Sequence, residues 1–235
     1  MVIIHFFSGM GPKLLDATGQ GGLWGLMVLG VYITYKLLDI ADLTVDGSFA
    51  LGGCVCAMLI VQKGVNPFLA LFLATLAGMA AGLVTGALHT AFDIPAILAG
   101  ILTQLALWSV NLWVMGKSNT PLAKVDNMVS LLAESTGFSQ AKASQLIGIG
   151  AAIAVVALLY WFFGTEIGSA IRATGNNEDM IRALGVNTKW TKLLGLMISN
   201  GLVGLSGALV CQSQKYADVM MGQGAIVIGL AAIVI

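Results

Sequence analysis

Long apolar runs separated by short polar stretches extend along the whole chain, and this pattern predicts a bundle of membrane-spanning helices. A helix needs about 20 apolar residues to cross a bilayer. The runs that approach this length predict about seven spans, at residues 21–38, 43–62, 67–88, 94–116, 146–163, 193–211 and 222–235. We expect an all-α fold, a polytopic transmembrane bundle formed by a single domain. The last run has only 14 residues, so we also expect the chain to be incomplete at its C-terminus.

The second run predicts a broken helix. Its continuous apolar part, Phe49–Val61, has 13 residues and is too short to cross alone, so the polar stretch Asp42–Ser48 must contribute to the crossing. A break at Asp46, Gly47 and Ser48 would expose backbone groups, which a membrane tolerates only where protein or a water-filled cavity covers them. Transporters place substrate routes at such discontinuous helices. These residues are therefore candidates for a translocation path.

Simpler interpretations of the same stretch stay open. Asp39 and Asp42 can be solvated turn residues, and Asp46 can be a helix cap at the membrane interface. Further polar residues within apolar spans are Gln104, Asn111 and Asn200. They join the candidate path, although hydrogen bonding between helices is the commoner role of such residues.

A polar island of 28 residues, Thr165–Lys192, separates two of the apolar runs and contains both arginines of the protein. Within it, Asn177 can cap a helix, and Gly185 can supply the left-handed residue that ends it. The sequence predicts a short helix over Glu178–Leu184. Its apolar ridge consists of Met180, Ile181 and Leu184. A helix this short is not stable alone, and its ridge suits a groove in a partner protein, so the island predicts a docking element.

The basic residues of the island set the expected orientation. Arg172, Arg182, Lys189 and Lys192 lie in it, and basic loops stay in the cytoplasm. If every run crosses once, the N-terminus and residues 117–142 lie outside. This outer segment can receive an extracellular binding protein or can simply cover the bundle, and the sequence favours neither.

Composition agrees with a membrane protein and excludes several classes of function. With 58% hydrophobic and 9% charged residues, the chain has too few charges to cover a soluble globule of 235 residues. The 11 basic and 11 acidic residues balance, so we expect no nucleic-acid partner. The sequence contains neither a glycine-rich phosphate-binding loop nor a cluster of residues with metal-ligand spacing. We therefore expect no cofactor and no enzymatic activity in this chain.

A motif in the polar island is similar to one in a known family. Gly168–Asn187 (GSAIRATGNNEDMIRALGVN) contains an Arg-Ala pair, then Asn-Glu, then Ala-Leu-Gly-Val-Asn. It resembles the cytoplasmic loop of the permease subunits of bacterial ATP-binding-cassette (ABC) importers of the branched-chain amino acid and ribose type. Leu193–Leu209 resembles the helix that follows. Leu38–Gly53 is similar to a branch often encoded beside binding proteins for aromatic amino acids or other small solutes.

The resemblance implies a multi-pass permease of the bacterial cytoplasmic (inner) membrane that moves a small solute, first of all an amino acid, by alternating access. The implied partners are a dimer of ABC ATP-binding subunits, an extracytoplasmic substrate-binding protein, and a second permease copy, identical or different. In the family, further helices follow the last run. The motif and the apolar ridge together give the candidate ATPase-coupling residues Arg172, Ala173, Asn177, Glu178, Met180, Ile181, Arg182, Ala183, Leu184 and Gly185.

Other classes of membrane protein remain alternatives. An ion-gradient-driven secondary transporter or channel could use the polar stretch Asp42–Ser48 as its ion site. A scaffold without transport activity is a third hypothesis. The capped helix predicted in the largest basic loop argues against both.

Overall fold

In a computed structural model, the chain is almost entirely helical. The structure describes residues 2–123, 125, 127–137 and 139–235, with side chains from residue 17 onward. The α-helices in this part of the chain are α1 (Val2–Tyr32), α2 (Val45–Lys63), α3 (Pro67–Ala91), α4 (Ala96–Met115), α5 (Met128–Thr136), α6 (Gln140–Phe163), α7 (Glu166–Asn176), α8 (Glu178–Ala183), α9 (Thr188–Gln214) and α10 (Ala225–Val234). A π-helix, Ile33–Leu37, continues α1. Two short strands, β1 (Asn119–Pro121) and β2 (Tyr216–Asp218), pair antiparallel.

The predicted polytopic helical bundle is confirmed. Within the described residues, five helices are long and apolar enough to cross a membrane, namely α2, α3, α4, α6 and α9. α10 is apolar but shorter. The fold is therefore built around helices whose length and composition suit a bilayer.

The two ends of the bundle carry different structures. At the end we call the α8 end, α7 and α8 pack beside the start of α9, where Lys192 Nζ donates to Glu178 Oε2 at 2.6 Å. At the opposite end, which we call the β end, the paired strands and α5 cover the bundle. There the side chain of Gln212 accepts a hydrogen bond from Met128 N at 2.9 Å and donates one to Pro67 O at 3.4 Å.

α2 and α9 form the centre of the bundle, and α4 and α6 lie at its periphery. In the most apolar stretch of both α2 and α9, 72% of the residues are buried within the chain, against 28% in α4 and 17% in α6. α3 packs so closely on α9 that a Cβ added at Gly78 would collide with the carbonyl oxygen of Asn200. Small residues allow this approach of helix backbones. The exposed apolar faces of α4 and α6 are therefore free to contact lipid or another chain.

Residues 38–44 connect the π-helix to α2 without regular structure, and we call them the connecting segment. Burial alternates along this segment. Its buried members are Leu38, Ile40, Asp42 and Thr44. Backbone groups are paired locally, since Ile40 N donates to Thr34 O at 2.9 Å and Thr44 N donates to Asp42 Oδ1 at 2.9 Å. Irregular backbone in a membrane protein requires this kind of cover.

The interruption before α2 lies earlier in the chain than the sequence suggested. Asp46, Gly47 and Ser48 are helical and form the first turn of α2, so the expected break at these residues is wrong. The reason is the side chain of Asp42, which accepts the N–H of Thr44 and so turns the chain into the helix one turn earlier. The irregular backbone is the connecting segment instead.

Candidate coupling surface and buried polar cluster

α8 begins because Asn177 caps it. The Asn177 Oδ1 accepts a hydrogen bond from Met180 N at 3.0 Å. Glu178 and Asp179 occupy the first turn, where acidic side chains interact favourably with the helix dipole. The short helix predicted after Asn177 is confirmed.

α8 ends because Gly185 adopts a left-handed conformation, with φ of 87°. The N–H of Gly185 donates to Arg182 O at 3.0 Å, and the N–H of Val186 donates to Ile181 O at 3.3 Å. This pair of bonds is a Schellman motif, which satisfies carbonyls that the helix leaves free. Leu184 caps the helix rather than lying within it, and a side chain with Cβ would strain the Gly185 position.

The apolar ridge is exposed only in part. Met180 is 56% exposed and Leu184 is 70% exposed, whereas Ile181 is 6% exposed. The expectation that Ile181 belongs to an outward ridge is therefore wrong, because α8 lies against the start of α9 and must turn one side inward. The outward residues, which we call the α8 surface, are Asp179, Met180, Arg182, Ala183, Leu184 and Gly185.

Glu178 ties α8 to α9. Its carboxylate binds Arg182 Nη2 at 2.9 Å within the helix and Lys192 Nζ at 2.6 Å across to α9. Arg182 also donates to Thr188 Oγ1 at 3.3 Å. The hydrogen bond from Lys192, helped by the charges of Lys192 and Arg182, holds the pKa of Glu178 below its ordinary value of 4.5. Glu178 is therefore ionised at neutral pH and keeps both contacts.

α7 joins α8 to the rest of the bundle. Thr174 Oγ1 lies 2.9 Å from Thr191 Oγ1 of α9. On another side, α7 touches the end of the π-helix so closely that a Cβ added at Gly175 would collide with Leu37 O. Ile171 of α7 packs in one apolar cluster with residues of the connecting segment and of α9, namely Leu38, Ile40 and Leu196. We call α7 and α8 together the α7–α8 unit.

Two residues of α7 assigned to coupling lie away from the α8 surface. Arg172 is exposed, but its Nη2 donates to Phe163 O at the end of α6, at 2.9 Å. Ala173 is half-buried. The coupling role of both residues stays a prediction, and the structure places Arg172 against α6.

A buried polar cluster lies at the middle of the bundle. Asn200, near the centre of α9, donates from Nδ2 to Asp42 Oδ2 at 2.7 Å, and its Oδ1 accepts from Ser48 Oγ at 2.6 Å. Thr44 Oγ1 lies 2.7 Å from Thr85 Oγ1 of α3. All five side chains are buried. The cluster thus joins the connecting segment, α2, α3 and α9.

This cluster includes two residues of the predicted path, Ser48 and Asn200. It also includes Asp42, whose interpretation as a solvated turn residue is wrong, since Asp42 is only 3% exposed. Asp39, in contrast, is exposed and has a positive φ of 55°. Because burial alternates along the connecting segment, Asp39 lies on its exposed side and Asp42 on its buried side. Thr85 carried no signal in the sequence, because a threonine in an apolar helix usually binds its own backbone.

Asp46 binds the start of α10. Its two carboxylate oxygens accept hydrogen bonds from Gly224 N at 3.0 Å and Ile226 N at 2.9 Å. Asp46 therefore caps the start of α10 rather than its own helix, and its role in the path stays a prediction. No pattern in the sequence predicts this pairing, which joins residues 180 positions apart for Ile226.

The other predicted path residues lie between α2 and α4. Asn111 is buried, and its Nδ2 donates to Gly47 O at 3.4 Å. Among the described residues, Asn111 Oδ1 has no hydrogen-bond partner. Gln104 is half-buried, and its backbone lies close to Gly47. The path role of all six residues stays a prediction.

Comparison with known proteins identifies the family of this chain. Residues 14–235 match the family described as branched-chain amino acid transport system / permease component. The tyrosine transport system permease protein of Clostridioides difficile (strain R20291) is 39% identical over 222 residues, which cover 94% of this chain and 72% of that protein. The ribose import permease protein of Escherichia coli (strain K12) is 26% identical over 253 residues, covering 100% of this chain and 74% of that protein. No solved structure matches.

Proposed function

The chain belongs to the family of permease components of branched-chain amino acid transport systems, and on this premise we propose that it imports an amino acid by alternating access. At the coarser level, it is a multi-pass inner membrane protein and an ABC-type permease for a small solute. The ATPase is proposed to be a separate subunit, because this chain offers a docking surface. An amino acid is favoured because the tyrosine permease shares more identity with the chain than the ribose permease does.

The observation that carries the proposal is the α8 surface. A short helix with both ends capped presents two apolar side chains, Met180 and Leu184, beside the exposed charges of Asp179 and Arg182. Exposed apolar side chains rimmed by charges suit a protein partner. We place the α8 end in the cytoplasm, where the ATP-binding subunit dimer docks on it.

Movement of α8 has two routes into the bundle. One runs through the Glu178–Lys192 ion pair to α9, which carries Asn200 of the buried polar cluster. The other runs from Gly175 of α7 to the π-helix and the connecting segment. Both routes reach Asp42 and Asn200, so ATPase closure is proposed to shift the connecting segment against α9 and to open or close the path.

The remaining partners are proposed from the geometry of the bundle. The β end, covered by the strands and α5, is proposed to receive the extracytoplasmic substrate-binding protein. A second permease copy is proposed to cover part of the apolar face of α4, which this chain leaves exposed. The path then lies between the two copies, with Gln104, Asn111 and the residues around Gly47 on the α4 side.

The first experiment compares two proline variants. Gly185 and Gly64 both follow the end of a helix with positive φ, 87° and 61°, and both have open space around them. Proline cannot adopt either angle, so Gly185→Pro and Gly64→Pro disturb the backbone alike, at the α8 end and the β end respectively. We expect the ATP-binding subunit to copurify with the wild-type chain and with Gly64→Pro, but not with Gly185→Pro. All three should insert in the membrane.

Uptake measurements separate the proposal from a gradient-driven transporter. Wild-type uptake should stop when cellular ATP is depleted, and Gly185→Pro should abolish uptake. If uptake instead survives ATP depletion and collapses with the membrane potential, the importer proposal fails. Wild-type uptake by Gly185→Pro would overturn the coupling role of α8 alone.

A further inference from the structure

A groove lies between α6 and the end of α1 with its π-helix, and neither the α8 surface nor the buried polar cluster contributes to it. Its volume is about 360 Å³. The walls are apolar and consist of Leu29, Ile33, Leu37, Val156, Leu159 and Phe163. Tyr32 and Tyr160 also line it, and Tyr160 is 86% exposed. Tyrosine at the end of a spanning helix is typical of the membrane interface.

One charged side chain, Arg172, lines the same groove at its α8 end. The guanidinium donates from Nη2 to Phe163 O at 2.9 Å, which fixes it at the end of α6. In the part of the chain that the structure describes, no carboxylate forms an ion pair with Arg172. A guanidinium has five N–H donors, so this one keeps donors and a full charge for a ligand.

The groove extends from the level of Arg172 along α6. Val156 precedes Phe163 by two turns of α6, so the apolar wall extends about 10 Å into the bilayer from the level of Arg172. Anionic headgroups of the cytoplasmic leaflet attract basic side chains at that level. Charge and depth together match a phosphate placed above an acyl chain.

We propose that this groove binds an anionic phospholipid of the cytoplasmic leaflet, with its phosphate on Arg172 and an acyl chain along α6. The assignment of the groove to that leaflet rests on the proposed orientation of the α8 end. The unpaired arginine favours a lipid over a second permease copy, whose contact with this face would have to supply a buried anion. α6 is the least buried of the five spanning helices in the described chain, which leaves the groove open to the bilayer.

The bound lipid would touch the structures that connect α8 to the bundle. Arg172 belongs to α7, and Ile33 and Leu37 belong to the π-helix against which Gly175 packs. A lipid held between these elements therefore stabilises the α7–α8 unit in one position. The fraction of anionic lipid in the membrane would thereby regulate how the α7–α8 unit transmits movement to the bundle.

Lipid retention tests the proposal without any transport measurement. The purified permease is incorporated into nanodiscs of phosphatidylglycerol and phosphatidylcholine in equal parts, extracted again, and examined by native mass spectrometry for retained lipid. We expect retention of phosphatidylglycerol over phosphatidylcholine. Arg172→Gln should weaken it on the order of tenfold, the effect of one charge-assisted phosphate contact of about 1.4 kcal/mol.

Two further variants keep the test decisive. Val156→Trp retains Arg172 but fills the groove at a half-exposed position, so it should also reduce retention. Lys189→Gln removes an exposed cation of the same end, outside the groove, and should leave retention unchanged. Equal retention in Arg172→Gln, Val156→Trp and Lys189→Gln, or no preference for phosphatidylglycerol, would overturn the proposal.

A second copy in the groove gives a different result. Under that hypothesis Val156→Cys would crosslink to itself between copies, and the lipid proposal would fail. Failure of the lipid proposal leaves copurification of the ATP-binding subunit intact, whereas failure of the importer proposal leaves lipid retention intact. The two proposals are therefore tested separately.

Discussion

The buried polar cluster and the α7–α8 unit both depend on polar contacts to α9, yet their surroundings are opposite. In the cluster, Asp42, Ser48 and Asn200 are fully or almost fully buried and bind one another directly. In the α7–α8 unit, Glu178 is partly exposed and holds α9 through an ion pair with Lys192. Buried polar groups that lose a partner destabilise a protein strongly, whereas partly exposed ion pairs contribute little. The cluster therefore contributes more to the stability of the bundle than the ion pair that holds the α7–α8 unit to α9.

The largest effect on stability is expected at Asn200. Asn200→Ala removes the acceptor of Ser48 and one donor to Asp42, so we expect a loss of about 2 kcal/mol in the free energy of unfolding. Ser199→Ala is the matched control, since Ser199 is equally buried in α9 but donates only to Gly30 O. Its loss should be about 0.6 kcal/mol, an average for hydrogen bonds between membrane helices. Thermal unfolding in detergent measures both, and equal losses would refute a special role for the cluster.

A smaller effect on stability but a complete loss of coupling is expected at Glu178. Glu178→Arg places a third cation between Arg182 and Lys192, which should detach α8 from α9. The unfolding free energy should fall by less than about 1 kcal/mol, because the site is partly exposed. Copurification of the ATP-binding subunit and ATP-driven uptake should both be abolished. Uptake at the wild-type rate by this variant would contradict the role of Glu178 in coupling.

The smallest effect is that of pH on α8. Because the pKa of Glu178 is lowered in the folded protein, its contribution is present above the ordinary value of 4.5 and is lost as pH falls through the lowered folded-state pKa. A spin label at Met180→Cys should therefore keep the same mobility from pH 8 to pH 5, and gain mobility only below 4.5. The same label in Glu178→Gln should show no such transition. A transition near neutral pH would contradict this role of Glu178.

Prediction from the sequence succeeded where the signal is local. The capped helix at Asn177 and the left-handed Gly185 follow from neighbouring residues, and the bundle follows from the apolar runs. It failed where a partner lies far along the chain. Asp42 could equally be solvated or buried until Asn200 was known to face it, and the start of α2 depends on that same side chain. The inward turn of Ile181 likewise depends on α9.

The contact between Asp46 and α10 has a consequence for biogenesis. α2 is synthesised long before α10, since Gly224 follows Asp46 by 178 residues. At about 5–20 residues per second, Asp46 waits roughly 10–35 s for this partner. Asp46 lies in the first turn of α2 and is buried, so its carboxylate lacks the two hydrogen-bond donors of Gly224 and Ile226 until the start of α10 is made. The first turn of α2 therefore completes its hydrogen bonds only late in synthesis, when α10 packs against it.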